Sequence, residues 1–356
     1  MKILITKFKS LGDVILLTPL IKNFKKAHPY ARIDILLRNG TGQILANNPD
    51  IQEILTLGDH KSKLINFLYD AFIYLKVRLK KYDIVIATDR GERSSIVSKI
   101  SKARIRIGRR NDFSPKLNKN FSHFFSFHGE RHIIDLNLDP LKILDIGIES
   151  KGLEVFPQRA DFDYVRNLIG DVTNFVQIHP VSKCKYKSID DKLMARLIDY
   201  CEIDMGLRTI ITGFGPNDET KVANILQHTK SSPVNLCSKL NIMQTAALNK
   251  MAVFILVVDT AIMHISTANE VPVIAFFGPT AVNNWGPWDK VLFDNSYTRK
   301  GGIQNHGMHT TISSNFKCIP CSQSGCNNTG LSDCLNMIEF DVVTNEIKKL
   351  LKDKSL

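Results

Sequence analysis

Short apolar runs alternate with longer amphipathic segments along the whole chain, and this alternation restricts the fold more than any other feature. The predicted strands are residues 2–8, 32–37, 52–57, 82–89, 104–107, 175–179, 208–212, 253–258 and 273–277. The predicted helices are residues 12–27 (kinked at Pro19), 61–81, 132–144, 190–205, 218–228, 242–250, 262–269 and 341–352. Strands that alternate with helices imply right-handed crossovers and parallel sheets, so the sequence predicts an α/β fold.

Polar residues stand where the apolar run 252–258 ends. Asp259 and Thr260 follow the run directly, and His264 comes five residues after the acid, on a predicted helix. Free backbone N–H groups and the helix dipole attract anions at such a strand-to-helix junction, which is where open α/β sheets bind nucleotide phosphates. Gly12 and Asp13 occupy the matching place after the first strand. Two such junctions, one in each half, predict two sheet domains that face each other across a cleft.

The length of the chain agrees with two domains, because 356 residues are about twice the length of a usual single domain. We expect an N-terminal domain over residues 1–160 and a linker over 161–172, where the periodic pattern is weak. A C-terminal domain is expected over 173–338, followed by a helical segment over 339–356. Residues 111–127 have no clear period and are predicted to form a long loop, a feature that is often functional.

The chain is strongly basic, with a net charge of +12. This balance suggests an anionic partner, such as nucleic acid, an anionic lipid or a phosphorylated substrate. Eight bases and one acid, Glu92, fall between residues 90 and 110; the bases are Arg90, Arg93, Lys99, Lys102, Arg104, Arg106, Arg109 and Arg110. A solvated basic face is the alternative interpretation of this run.

We find no signal peptide at the start of the sequence, and the apolar run 251–258 is too short to span a bilayer. We therefore expect a cytoplasmic protein. Four of the seven cysteines, Cys318, Cys321, Cys326 and Cys334, have the spacing C-x2-C-x4-C-x7-C. A C-x2-C pair presents two thiolates to one metal, so the cluster could hold a zinc ion; the alternative is a loop of reduced thiols.

Three further segments carry candidate chemistry at strand ends. Asp13 is either a general base that takes a proton from an acceptor hydroxyl or a first-turn acid that stabilises its helix. The loop 179–187 offers Ser182 and three lysines, which suit phosphate unless they form only a solvated loop. In the segment 213–219, Asp218 or Glu219 could accept ribose hydroxyls or serve in helix capping. Walker, HExxH, G-x-S-x-G and G-x-G-x-x-G motifs are not found, which weakens the corresponding enzyme classes.

Taken together, these segments resemble the heptosyltransferases of lipopolysaccharide core assembly. The resemblance runs from "KFKSLGDVILLTPL" (residues 7–20) through "RHIIDLNL" (131–138) and "IHPVSKCKYK" to "VVDTAIMHISTANEVPVIAFFGPT". The tail "KCIPCSQSGCNNTGLSDCL" looks most like the heptosyltransferase III branch. The resemblance implies a GT-B architecture of two Rossmann-like domains, with the acceptor bound mostly by the first and ADP-heptose mostly by the second. It also implies that the final helix packs back toward the N-terminal domain.

The resemblance also implies roles for individual residues. Asp13 matches the proposed base, Lys187 the lysine that meets the donor phosphates, and Leu240 an apolar residue against adenine. The implied donor-binding set is Ser182, Lys183, Lys187, Asp218, Glu219, Leu240, Asp259, Thr260, Ala261 and His264. The expected acceptor-binding set, which draws on the basic run, is Gly12, Arg90, Arg93, Arg106 and Arg109.

The sequence departs from the family pattern at three donor-site positions. Ala261 replaces a glycine and adds a methyl group near the phosphates. Lys183 replaces an arginine and loses its bidentate reach, and Ile189 stands where the family has a tryptophan. These changes affect the fine geometry of the donor site and leave the class of enzyme unchanged.

The function implied is inverting transfer of heptose from ADP-L-glycero-D-manno-heptose to a heptose of the lipopolysaccharide inner core, with no cofactor. The expected partners are the nucleotide sugar, the anionic glycolipid acceptor and the inner face of the inner membrane, but not nucleic acid. One alternative is a GT-B transferase that uses another nucleotide sugar. The other is a non-enzymatic basic protein that binds nucleotides or nucleic acid, although the chain has no recognisable nucleic-acid motif.

Overall fold

The computed structural model describes residues 1–58, 62–126, 130–298 and 301–353 of the chain. These residues form two compact units, Met1–Lys151 and Gly152–Leu356. Residues 61, 127 and 354–356 of the predicted elements lie outside the described ranges. Within those ranges, no helix combines the length and apolar character that crossing a membrane would need.

The first unit is a parallel sheet with helical connections. Its strands are β1 (Lys2–Lys7), β2 (Arg32–Arg38), β3 (Glu53–Leu57), β4 (Ile84–Ala87), β5 (Ile105–Arg109) and β6 (His123–Phe125). Its helices are α1 (Leu11–Ile15), α2 (Thr18–Ala27), α3 (Lys63–Lys80), α4 (Glu92–Ser101) and α5 (Ile133–Ile143). The strand order is β3-β2-β1-β4-β5-β6, with every neighbouring pair parallel.

The second unit repeats this plan and adds a hairpin. Its strands are β7 (Phe175–His179), β8 (Arg208–Ile211), β9 (Val234–Asn235), β10 (Phe254–Val258), β11 (Val273–Phe276), β12 (Gly302–His306) and β13 (His309–Ser313). Its helices are α6 (Arg159–Ile169), α7 (Asp191–Asp199, continued by a π-helical turn over Tyr200–Asp204), α8 (Pro216–Leu226), α9 (Ile242–Met251), α10 (Ala261–Ala268), α11 (Val282–Trp285), α12 (Asp333–Asn336) and α13 (Phe340–Asp353). The strand order is β12-β13-β11-β10-β7-β8-β9, in which β12 pairs antiparallel with β13 and the other neighbouring strands pair parallel.

Both sheets reverse their strand order beside their first strand. The reversal lies between β1 and β4 in the first unit and between β7 and β10 in the second. Ligands of open α/β sheets bind outside the carboxyl ends of the strands at such a point. The predicted α/β class with two Rossmann-like sheets is confirmed, and the two reversal points are where functional side chains are expected.

Burial follows the predicted pattern in the central strands. All five residues of β10 are buried, as expected for a parallel strand covered on both faces. Pro19 lies in the first turn of α2 rather than inside a kinked helix, so the predicted helix 12–27 is two helices. A proline is favourable in that position because the first N–H groups of a helix have no intrahelical partner.

Several predicted boundaries were wrong. The predicted linker 161–172 is largely helix α6, whose side chains Val165 and Ile169 join a core cluster of the second unit. The predicted long loop contains strand β6, and α4 and the hairpin β12–β13 were not predicted. Helix α13 belongs to the second unit, where Val343 and Ile347 are buried in its main core.

Candidate functional site

An ion pair at the second reversal point joins two predicted donor-binding residues. Lys187 lies in the loop after β7, and Asp259 follows β10 directly. The Lys187 Nζ lies 2.6 Å from Oδ2 of Asp259, and the two side chains are 21% and 10% exposed. Because β7 and β10 are parallel neighbours, the loops that follow them meet at one edge of the sheet. The lysine is thereby held at the edge where phosphates are expected to bind.

Helix α10 begins beside this ion pair. Thr260 occupies its N-cap position, and its hydroxyl forms no capping hydrogen bond. The first N–H groups of the helix have no intrahelical acceptor, so they can donate to an anion together with the positive end of the helix dipole. Ala261 is the first helical residue and is partly exposed, whereas His264 is buried one turn further along. The structure therefore brings together Lys187, Asp259, Thr260 and Ala261. His264 is buried one turn further along the same helix.

A buried histidine ends the neighbouring strand. His179 is the last residue of β7, and its Nδ1 lies 3.0 Å from the hydroxyl oxygen of Thr212. Burial lowers the pKa of His179 to about 3, so the imidazole is neutral at ordinary pH. His179 therefore adds no charge at this edge of the sheet, and the positive charge beside Asp259 comes from Lys187.

The loop after β8 contains two glycines whose positions favour the absence of a side chain. A Cβ at Gly213 would lie 2.8 Å from the Cys237 sulfur and 3.1 Å from the Asp218 Cβ, and Gly215 has a φ of +91°. Asp218 accepts a hydrogen bond from the Phe214 N–H at 2.9 Å, and burial raises the pKa of its carboxyl. Glu219 is exposed. Of the two predicted ribose partners, Asp218 is the one that faces the loop.

The basic loop itself is fixed by neighbouring segments. Ser182 accepts a hydrogen bond from the Cys184 N–H at 3.4 Å, and Lys183 is exposed. Ser332, in the cysteine-rich segment, donates to the Tyr186 carbonyl oxygen at 2.6 Å. The Cys184 side chain and burial raise the pKa of Tyr186 to about 12. Tyr186 therefore remains a neutral phenol, and its backbone anchors the turn that carries Lys187.

Leu240 follows β9 and is buried. It is 5% exposed and packs in a core cluster with Phe175, Ile210 and Leu248. The contact with adenine implied for Leu240 stays a prediction, because a buried leucine and a ligand-facing leucine give the same apolar pattern in a sequence.

Asp13 lies in the first unit, in the first turn of α1. Its Oδ2 accepts a hydrogen bond from the Ser10 hydroxyl at 2.6 Å, and its side chain is partly exposed. Gly12 is the second residue of the helix and does not have a positive φ, so the backbone conformation at this position does not require glycine. The carboxylate is therefore held by one local hydroxyl and still has a side open to a ligand.

Buried charges surround the first reversal point. Lys7 ends β1, is 2% exposed and reaches the Asn137 side chain at 3.4 Å; burial lowers the pKa of its amine, while Asp13 and Asp89 oppose that shift. Asp89 follows β4 and accepts hydrogen bonds from Phe8 N–H at 2.7 Å and Gly91 N–H at 2.8 Å. Asp13, Lys7 and Asp89 thus form an acid–base–acid cluster at the ends of two adjacent strands.

Arg109 extends this cluster from the end of β5. Burial lowers the pKa of its guanidinium to about 10, Arg90 adds to that shift, and Asp89 and Asp13 oppose it. Arg109 is therefore still protonated at neutral pH and lies within electrostatic reach of the candidate base. The Arg90 guanidinium stacks over the exposed Phe113 ring, 5.6 Å from its centroid.

The other two predicted acceptor arginines lie elsewhere. Arg106 donates to the carbonyl oxygens of Ala103 at 2.6 Å and Asn120 at 2.8 Å, which makes it a structural residue in the geometry observed. The Arg93 guanidinium packs against Gly58, where an added Cβ would lie 2.7 Å from it. Arg109 thus lies within electrostatic reach of both Asp13 and Arg90, whereas Arg106 and Arg93 contact other segments.

Sequence reasoning missed Lys7, Asp89 and His179 as parts of the site. Each is the last residue of a strand or follows one within two positions, next to a reversal point. The signal was present as a polar residue that closes an apolar run, the same signal that identified Asp259. It was passed over because a single charged residue at a strand end is common.

The four clustered cysteines are free thiols. Cys334 is buried, Cys318 is exposed, and burial together with the three other thiols raises the pKa of Cys334 to about 11. Among the residues that the structure describes, no three or more His, Cys, Asp or Glu side chains are placed to hold a metal ion. The zinc alternative remains a prediction from spacing.

Comparison with known proteins agrees with these observations. The family model "Glycosyltransferase family 9 (heptosyltransferase)" matches residues 73–306, which is more than half of the chain. Lipopolysaccharide heptosyltransferase 3 of Escherichia coli is 28% identical over 287 residues, 78% of this chain and 83% of that protein. The match therefore extends over most of both sequences.

Solved structures show the same fold over nearly the whole chain. The glycosyl transferase family 9 protein of Veillonella parvula has a TM-score of 0.80 and 21% identity, and the match covers 99% of this chain and 97% of that one. E. coli heptosyltransferase WaaC, solved with ADP, has a TM-score of 0.75 and 17% identity, with 98% and 100% covered. The predicted GT-B fold class is confirmed.

Proposed function

Because the chain belongs to glycosyltransferase family 9 and is a glycosyltransferase, we propose that it transfers heptose from ADP-L-glycero-D-manno-heptose to a heptose of the lipopolysaccharide inner core. The observation that carries this proposal is the ion pair of Lys187 and Asp259 at the second reversal point, beside the start of α10. A basic side chain and free helix N–H groups in one place fit a nucleoside diphosphate. The similarity to lipopolysaccharide heptosyltransferase 3 supports lipopolysaccharide as the acceptor.

The second unit is proposed to bind the donor. Lys187 and the N–H groups at the start of α10 bind the diphosphate, and the Asp218 carboxylate accepts hydrogen bonds from the ribose hydroxyls. As the bond between the sugar and the diphosphate breaks, negative charge develops on the departing phosphate oxygen, and these donors stabilise it. Since they supply positive charge themselves, we expect ADP to bind equally well with and without magnesium.

The first unit is proposed to supply the base. Asp13 takes the proton from the acceptor hydroxyl while that oxygen attacks the anomeric carbon, and the diphosphate leaves from the opposite face. This single displacement inverts the anomeric centre and needs no covalent enzyme intermediate. Arg109 and Arg90 are proposed to meet the phosphates and carboxylates of the inner core. The acceptor is an anionic glycolipid, so we propose a cytoplasmic enzyme that works at the inner face of the inner membrane.

The test separates donor binding from turnover. Calorimetry with ADP, UDP and GDP should show a preference for ADP that magnesium does not change. Asp13→Asn should retain ADP affinity and lose heptose transfer, because the amide cannot accept the proton. A preference for UDP or GDP would indicate that the donor is a different nucleotide sugar. Retained transfer by Asp13→Asn would remove the aspartate from the role of base.

A further inference from the structure

Helix α3 presents a large apolar surface to solvent. Seven of its large apolar side chains are between 54% and 70% exposed: Leu64, Ile65, Phe67, Leu68, Phe72, Leu75 and Leu79. Single exposed apolar residues are normal on a protein surface, but contiguous patches of this kind mark interaction sites. None of these seven side chains is part of the proposed donor or acceptor site, so they require a separate explanation.

Five of the exposed side chains form one stripe along the helix. Residues 64, 68, 72, 75 and 79 recur at the three- and four-residue spacing that keeps side chains on one face of a helix. The opposite face of α3 supplies Ile73 and Val77 to the core of the first unit. The helix is therefore apolar on two sides, and only one of them is needed for folding. Its 18 residues span about 27 Å, so the stripe is a long, narrow surface.

The stripe is bordered by positive charge. Residues 61–81 contain six bases and a single acid, Asp70. Lys80 forms ion pairs with Asp34 and Glu53, and Lys76 pairs with Glu53, which fixes the inner side of the helix to the sheet. Arg78 lies in the last turn, and the exposed Lys81 follows as the C-cap residue. An apolar stripe with basic ends has the composition of a helix that lies in the plane of a membrane interface.

We propose that helix α3 docks this protein on an anionic lipid surface, with the stripe in the boundary between headgroups and acyl chains. Charge complementarity favours lipid over a second copy of the chain. Two copies would bring together segments that are both strongly basic, whereas anionic headgroups neutralise Arg78 and Lys81. The choice of a membrane also rests on the proposed function, in which the acceptor is a glycolipid. Docking would then hold the enzyme at the surface where its acceptor resides.

Vesicle sedimentation with the full chain tests the docking surface. The wild type should bind vesicles of phosphatidylglycerol and phosphatidylethanolamine, bind phosphatidylcholine vesicles much less, and lose binding as salt is raised. The double variant Leu68→Asn/Phe72→Asn should lower the partition coefficient at least about tenfold, because two large side chains leave the interface. A matched control, Tyr30→Asn/Ile203→Asn, removes side chains that are 96% and 61% exposed elsewhere and should leave binding unchanged.

The outcomes distinguish docking from the proposed function. Equal vesicle binding by the stripe variant and the wild type, at equal thermal stability, would overturn the docking role. A wild-type dimer that the stripe variant converts to monomers, without vesicle binding, would assign the stripe to a second copy and also overturn it. ADP affinity is measured on the same samples. Vesicle binding without ADP binding would overturn the proposed donor and support membrane docking. ADP binding without vesicle binding would overturn membrane docking and support the proposed donor.

Discussion

Replacing Lys187 by methionine tests the donor site most directly. The substitution keeps the length and much of the apolar stem of the side chain and removes its charge. In the structure the Lys187 Nζ lies 2.6 Å from the Asp259 carboxylate, beside the first turn of α10. If the lysine binds the diphosphate, Lys187→Met removes one charge-assisted contact from ADP and leaves contacts to the nucleoside in place.

The magnitude follows from the chemistry of that contact. A hydrogen bond between charged groups contributes about 1.5–3 kcal/mol, which corresponds to a rise of roughly ten- to a hundredfold in the Kd for ADP. Asp259 also loses its counter-charge while its side chain is only 10% exposed. Breaking a fully buried pair costs about 3–5 kcal/mol, and because Lys187 is partly solvated we expect a smaller loss, about 1–2 kcal/mol of unfolding free energy.

Calorimetry with ADP and adenosine, combined with urea denaturation, measures both effects. Lys185→Met is the matched control, since Lys185 lies in the same loop and is exposed. We expect the control to change the Kd for ADP less than about threefold, as for a solvated charge. Adenosine affinity should be the same in all three proteins. An equal loss of ADP affinity in both variants, or none in Lys187→Met, would refute the assignment of the phosphate contact.

Three further predictions follow from the same geometry. Gly213→Ala should weaken ADP binding and lower stability by about 1–3 kcal/mol in calorimetry and denaturation, because the new methyl group meets the Cys237 sulfur at 2.8 Å. The pKa of His179 is about 3 in the folded protein and about 6.5 in the unfolded chain. Its contribution to the free energy of unfolding is therefore complete above pH 6.5 and declines by up to about 5 kcal/mol as the pH falls toward 3. His179→Asn should flatten that part of the pH dependence of stability, measured by denaturation. In transfer assays Arg109→Gln should reduce acceptor use without changing ADP affinity, whereas Arg106→Gln should mainly lower the melting temperature.

The sequence predicted the strands that carry the site because those strands are buried on both faces. The run 254–258 is apolar throughout, and the run 175–179 is apolar apart from Gln177 and the terminal His179. Polar residues mark the ends of both runs, so these strand boundaries were right to within one or two positions. The same rule failed for α4. Its buried face consists largely of serines, and Ser95 and Ser98 donate to the carbonyl oxygens of Leu117 and Asn120 at 2.8 and 3.0 Å. Because this face of α4 is buried through hydrogen bonds of its serines, the sequence has no regular spacing of apolar residues that would predict the helix.

The pairing of site residues depended on information that the sequence does not contain locally. Lys187 and Asp259 are each predictable as polar residues after a strand, but their contact requires β7 and β10 to be neighbours. That adjacency follows from the reversal of strand order, which is a property of the whole sheet. Leu240 shows a different limit of sequence reasoning, since its apolar character agrees with both the core position seen in the structure and a ligand contact.

The basic run 90–110 shows why charge along a sequence is a poor guide to a binding surface. Arg106 and Arg109 lie on one strand an odd number of residues apart, so their side chains leave opposite faces of the sheet. Arg106 is thereby bonded to backbone carbonyl oxygens, while Arg109 joins Lys7, Asp13 and Asp89. Two bases and two acids in this cluster nearly cancel. For the anionic acceptor that we propose, Arg109 would therefore act as a contact at short range, and attraction over a longer distance would come from further cations such as Arg90.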